Sequence, residues 1–579
     1  MTKLTLCAVV IAAIFGTSST LFGQEASQKI EVQTSQIHVR SLGTATLSRP
    51  LAEGLAKGQE STRKQSRFYA MHSIAHRWGS FVAGKNQVAA QALSLPSATP
   101  LPVVGPDPGF RGFAALTGAE QASVSGFNVE PPDQGLCTNG RFVLETINVA
   151  ASVYDSNSHR VLAGPVYLND FFGVAATDFT TDPRCYYDPP TQRWFVTVTD
   201  LGPPSGVPTS LLVAVSQTSD PTGSYNLYAF DVTDDGFFGV CPCYGDQPLL
   251  GADANGFYIS TNSFGAQFFG GAQIYALSKY ALVLGIVPFG VHLAPLSATG
   301  GAPFPFSLQP SVSPDGQGSA ANGGTEYFVS SYDITSLANN KVSVWAMTGT
   351  DTLNAAVGTP GFTTLALKTE TYFAPIPASQ KKGPIPLGKR LGQPVGMLEA
   401  DDQRMQQVVY AAGYLWSSVS TALQVGGETL DGAAYFAIRP TWKGDVLSAS
   451  VFREGYLAVA GNNLLYPAIG VSDSGYGVMV FTLSGPSYFP SAAYIPINKL
   501  TGTARAVRLA AAGVLPDDGF TVYPPYSTNG VGRWGDYSAA VAVADDSVWI
   551  ATEYVGPKKR DLLTNWGTFI GVLPLPDSD

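Results

Sequence analysis

Four aspartates recur in one local setting. Asp133, Asp182, Asp246 and Asp536 each stand a few residues ahead of a short apolar run, three of them beside a Gln or a Pro. Arg184 and Arg533 lie within three residues of two of these aspartates, and Tyr537 directly follows the last. Asp200, Asn262 and Glu553 close later runs of the same kind. Paired carboxylates can divide acid and base roles on a glycosidic bond. An arginine can grip a ligand carboxylate through two parallel hydrogen bonds. Asp182, Asp536 and Glu553 are therefore the candidates for acid and base catalysis. Arg184, Arg533, Asp133, Asp246, Asp200, Asn262 and Tyr537 are the candidates for ligand binding. A plainer role competes for each carboxylate: at a strand start it can accept backbone N–H groups and fix the local geometry.

The elements that position these residues form a repeat. A polar residue, usually with a Pro, opens an apolar run; a turn with Asp or Asn follows, and then a second, aromatic-rich run. The copies open at Pro132-Asp133-Gln134, Asp182-Pro183-Arg184, Gly245-Asp246-Gln247-Pro248, Gln309-Pro310, Gln393-Pro394, Tyr466-Pro467 and Gly535-Asp536-Tyr537. Their turns fall at Asn139, Asp188, Asp253, Asp315, Asp401, Asp473 and Asp545. Repeats of this length suit four-stranded blades with long loops. The fold class expected is all-β: a single seven-bladed β-propeller, with six or eight blades as the alternatives. Two β-sandwich domains or a β-helix explain the irregular but persistent repeat less well. The last repeat lacks a fourth strand, and Gly112–Leu116 is the run expected to supply it and hide both edges.

In a propeller the residue ahead of each first strand sits at one mouth of the central channel. The candidate residues would then gather at that mouth, in the sector of repeats seven, one, two and three. The turn carboxylates would lie at the opposite end, where Asx-turn bonding accounts for them. Long aromatic loops, with Phe171-Phe172, Phe268-Phe269 and the 374–392 and 513–531 segments, are expected on the mouth side.

Composition bounds the rest. The 579 residues include 62 Gly and 41 Pro with only 13% charged, which favours short strands and tight turns. Residues 1–23 read as an export signal, with Lys3 ahead of an apolar stretch too short to span a membrane. Residues 24–109 read as a poorly structured extension and linker, and 110–579 as the propeller. Residues 1–100 carry 10 basic and 4 acidic side chains, whereas the remainder carries 23 basic and 39 acidic. A body that acidic repels phosphate backbones, so nucleic acid is excluded as a partner.

Four cysteines follow the signal: Cys137, Cys185, Cys241 and Cys243. In an exported chain they favour disulfides, with three connectivities open. No cofactor is expected. Acidic pairs such as Asp234-Asp235 and Asp517-Asp518 leave a structural calcium open, although neither has the alternating ligand spacing of a dedicated loop.

Asp182-Pro183-Arg184 through Asp188, Arg193-Trp194-Phe195, Gly245-Asp246-Gln247-Pro248 and Arg533-Trp534-Gly535-Asp536-Tyr537 resemble motifs of secreted bacterial propellers of the sialidase-like superfamily. The resemblance covers about 126–577. Most members of this group are uncharacterised. A sialidase-type site would need three arginines, for which Arg184, Arg533 and Arg390 are the nearest candidates, and a Tyr–Glu nucleophile pair that cannot be assigned. Val471-Ser472-Asp473-Ser474-Gly475 and Ser313-Pro314-Asp315-Gly316 only approximate the Asp-box turn. The expectation is an exported, monomeric, non-catalytic propeller binding a glycan or an extracellular protein. The alternative is a glycoside hydrolase or lyase using the mouth carboxylates.

Overall fold

A computed structural model describes residues 25–29, 32–47, 94–202, 208–234, 241–265, 269–295, 305–355, 358–558 and 560–574. The proposed export signal, the weak helical pattern at 63–78 with His72 and His76, and Asp235 fall outside these residues. The chain is mostly β. No described helix is long and apolar enough to cross a membrane.

Among the described residues, seven antiparallel meanders follow one another, spanning 135–167, 180–231, 243–295, 309–373, 408–457, 463–511 and 539–573. The seventh is completed by Arg111–Thr117, which pairs with Gly567–Leu573. The first strand of each meander touches the first strand of the next, and Ala539–Ala542 touches Gly135–Thr138. Between the fourth and fifth this contact includes parallel pairing, Ser311 with Val408 and Val312 with Val409.

Strand alternation explains why the sheets stack. Trp194 and Phe195 are adjacent in sequence, so their side chains leave opposite faces of the second sheet. Trp194 packs with Leu144 of the first sheet, and Phe195 stacks on Phe257 of the third at 4.8 Å. Tyr258 and Ile259, and Leu415 and Trp416, divide in the same way between two neighbours. Trp549 of the seventh sheet reaches Val143 of the first. Each such buried side chain contributes about 1.5–3 kcal/mol. A disulfide between Cys137 and Cys185 also joins the first two sheets, and a second closes Cys241 on Cys243.

Two expectations change. Residues 25–46, expected to lack regular structure, add short strands to outer sheet edges. Glu25–Ala26 pairs with the fifth sheet, Gln28–Lys29 with the fourth, Val32–Gln36 with the third and Arg40–Thr46 with the second. This run forms a belt that caps edges otherwise open to pairing. The fifth repeat also starts later than Gln393-Pro394. Its first strand is Val408–Ala411, and the turn after it is Ala412-Gly413. Asp401 is therefore not a turn residue at the far end; it precedes the strand.

Candidate functional site

At or near the start of the first strand of each meander lies one residue other than glycine with positive φ. In chain order these are Asp133, Asp182, Gln247, Ser307, Asp401, Tyr466 and Asp536, with φ between 47° and 54°. A left-handed backbone is unfavourable for residues with a Cβ and persists only where neighbours fix it. Asp tolerates it better than most, and four of the seven are Asp.

The fixing groups are identifiable. The Asp182 N–H donates to Asn148 Oδ1 at 2.9 Å, while Asn148 Nδ2 donates to Asp133 Oδ2 at 2.6 Å. Asn262 repeats the arrangement two sheets on, accepting from Ser307 N–H and donating to Ser307 Oγ, both at 2.8 Å. Glu553 accepts the Gly535 N–H at 2.6 Å. Gly535 itself has φ 75°, and a Cβ there would lie 2.3 Å from the Tyr466 ring.

Two ion-pair groups sit beside these strand starts. Arg533 bonds Asp536 through Nη2 and approaches Glu399 through Nε at 3.2 Å. Arg404 reaches Asp401 at 3.0 Å, Asp402 at 2.6 Å and Gln247 Oε1 at 2.5 Å. The arginine side chains keep 12% (Arg404) and 15% (Arg533) exposure, so both groups touch solvent. Asp133 and Asp182 are buried beneath them.

Crowded acids alter one another's protonation. Burial, then the Asp182 charge, pushes Asp246 up to about 8, with Arg404 opposing. Burial raises Asp536 to about 6 despite Arg533. Asp133 is raised by burial and by Asp536 and Asp182. At neutral pH the mouth thus mixes protonated carboxyls, carboxylates and guanidinium groups, offering donors and acceptors side by side.

The sequence candidates sort differently from one another. Asp133, Asp182, Asp246, Arg533 and Asp536 share one electrostatic cluster. Tyr537 is buried, its hydroxyl donating to Asp182 at 3.0 Å. The Arg184 guanidinium carbon sits over the Tyr537 ring, 3.5 Å from its centroid. Glu553 is 1% exposed and spent on Gly535, and Asn262 on Ser307. Asp200 stands apart: burial raises it to about 6, and the charges acting on it are Asp178 and Arg40. Arg390 lines a separate cleft with Leu387, Arg560 and Leu562, so the three arginines of a sialidase-type site are not assembled.

The aromatic loops are largely core. Phe171 and Phe172 pack between the first two sheets, and Tyr523 donates to Asp518. Phe268 lies outside the described residues. Asp518 of the acidic pair Asp517-Asp518 is taken up by Arg560, Tyr523 and the N–H groups of Leu387 and Gly388.

Glu399, Asp402 and Arg404 belong to this cluster although the repeat does not point to them, and Asp401 stands with them rather than in a turn. The available signal was Asp401-Asp402 ahead of the apolar run 408–411, with Ala412-Gly413 as the turn.

No protein-family model matches the chain, and no curated protein sequence matches it. Similar solved structures include an exo-β-1,3-galactanase from Clostridium thermocellum, 10% identical, covering 79% of this chain and 96% of that one, with a TM-score of 0.27. An exo-β-1,3-galactanase from Phanerochaete chrysosporium with galactose is 11% identical, covering 80% and 96%, with a TM-score of 0.24. The N-terminal domain of Nup159 is 11% identical, covering 83% and 99%, with a TM-score of 0.31. The chemistry of the mouth is therefore read from its own residues.

Proposed function

We propose that this chain is a closed seven-bladed β-propeller of an exported protein, and that its mouth binds a carbohydrate without turning it over. Cyclic contact among the first strands and the seven left-handed strand starts support the architecture. The two disulfides support an oxidising compartment.

One observation carries the binding reading. The partly exposed acids Glu399, Asp401, Asp402 and Asp536 are already held by Arg404 and Arg533, giving a rigid array of acceptors and donors. Such an array suits vicinal hydroxyls. Of the three catalytic candidates, Asp182 and Glu553 are 3% and 1% exposed, which leaves Asp536 without a partner among them that can reach a substrate. A hydrolase reading has one favourable observation, the unequal proton affinities of Asp246 and Asp536.

A glycan array with wild type and Asp536→Asn, followed by reducing-sugar release on every glycan bound, tests both. Binding by wild type, weakened at least tenfold in the variant and without sugar release, supports the proposal. Turnover by wild type that Asp246→Asn or Asp536→Asn abolishes would establish the hydrolase instead. Failure of wild type to retain any glycan overturns the carbohydrate assignment.

A further inference from the structure

Below the mouth lies a cavity of about 320 Å³ whose walls are first strands of six of the seven sheets. It reaches the opposite end of the fold, where the turn residues Asn139, Pro189 and Pro314 line it. Its walls include the apolar side chains of Leu136, Val312, Val409 and Val541, with the neutral amides of Gln309 and Gln406 among them.

Arg184 is the one charged residue among those lining this cavity. Its guanidinium rests on the face of Tyr537, 3.5 Å from the ring centroid. Its Nε and Nη2 are buried without a hydrogen-bond partner. The nearest carboxylate in sequence, Asp182, accepts the Tyr537 hydroxyl through Oδ1 at 3.0 Å, and its Oδ2 makes no hydrogen bond to Arg184. Stacking on an aromatic face recovers only about 2 kcal/mol for a desolvated cation. A guanidinium with open donors in a neutral cavity still favours an anion strongly. The volume lies at the small end of the range for ligand pockets.

We propose that the cavity is a second binding site, distinct from the mouth, for a small organic monoanion. A carboxylate head accepts hydrogen bonds from Arg184, and a short apolar body lies along Leu136, Val312, Val409 and Val541. A longer body gains affinity by burying more surface, and a neutral analogue loses the charge that Arg184 selects. No bond is made or broken.

The test is calorimetric titration of the full chain, in chloride-free buffer, with acetate, butyrate, hexanoate and the neutral hexanamide. The expected result is tightening of about fourfold per added methylene until the cavity is filled. Hexanamide is expected to bind at least tenfold more weakly than hexanoate. Arg184→Gln should abolish hexanoate binding, and Val541→Phe should weaken hexanoate more than acetate. The wild-type series and Val541→Phe decide the matter should Arg184→Gln not fold. Absence of carboxylate binding, equal binding of hexanamide, or affinity independent of chain length and matched by chloride would each overturn the proposal.

Discussion

Asn148 and Asp182 belong to different sheets, yet the side-chain oxygen of the first holds the backbone N–H of the second at 2.9 Å. The same amide bonds Thr181 Oγ1, Asp133 Oδ2 and the Pro131 carbonyl. One side chain thereby fixes two left-handed strand starts. Replacement by Ala leaves these buried groups unpaired, each costing about 1–3 kcal/mol. Asn148→Ala is expected to lose about 3 kcal/mol or more of stability. Asn148→Asp keeps the acceptor but sets a charge against Asp133, and should not rescue. Chemical denaturation of the three proteins checks this.

The disulfide Cys137–Cys185 spans 48 residues between two sheets, whereas Cys241–Cys243 spans two. Chain-entropy reasoning assigns the long bridge about 4 kcal/mol, as an upper figure. A Cys137→Ala, Cys185→Ala double variant should melt well below wild type, while Cys241→Ala, Cys243→Ala should stay close to it. Thermal melts under oxidising conditions separate the two. Equal losses would mean that loop length is not what governs these bridges.

The belt at 25–46 buries Ile37 and covers outer strands of four sheets, and Leu47 at its end is buried in the first-to-second sheet core. Deleting residues 24–47 removes those side chains and bares long edges. A lower melting temperature and self-association by size-exclusion chromatography are expected. An unchanged elution volume with unchanged stability would show that the belt is dispensable.

What could be read in the sequence tracks what is local. The second and third sheets were legible because Asp188 and Asp253 turns separate runs with clear apolar content. The fifth is obscured because Pro394 and Asp401 mimic a repeat start and its turn, while the actual first strand is four residues long with a turn lacking Asp or Asn. The belt was not legible at all: Arg40–Thr46 is mostly exposed and gains its partner only from Ser224–Asp231, far along the chain. Arg404 carries no local signal for a similar reason. Its partner Gln247 is 157 residues away, and nothing in local spacing links them.

Asp431 offers a clean titration. It is fully buried, accepts one bond from the Ile376 N–H at 2.9 Å, and its Oδ2 has no partner. Burial pushes its carboxyl up to about 8. A raised carboxyl binds its proton more tightly in the folded state. Its contribution is therefore complete below pH 4 and lost as pH rises from there through 8. Asp431→Asn keeps the acceptor and carries no charge. It should remove a loss of about 5 kcal/mol across that window, and denaturation midpoints at pH 4, 6 and 8 measure it.

Arg404 is the group whose removal should reveal how the mouth is held. Its Nε and Nη2 edge faces Asp401 and Asp402 while Nη1 donates to Gln247, a fork that an ammonium cannot reproduce. Arg404→Met would leave Asp401 beside Asp402, Asp536 and Glu399, with Arg533, already paired to Asp536 and Glu399, as the nearest remaining cation. Breaking a fully buried pair costs about 3–5 kcal/mol, and the remaining exposure of these side chains brings the expected loss nearer 2 kcal/mol. The acids left behind should protonate more readily, so the deficit of Arg404→Met should shrink as pH falls below 6. Arg404→Lys retains the charge but not the fork, and should recover less than half. If stability curves of all three proteins run parallel from pH 5 to 8, Arg404 does not compensate the mouth carboxylates.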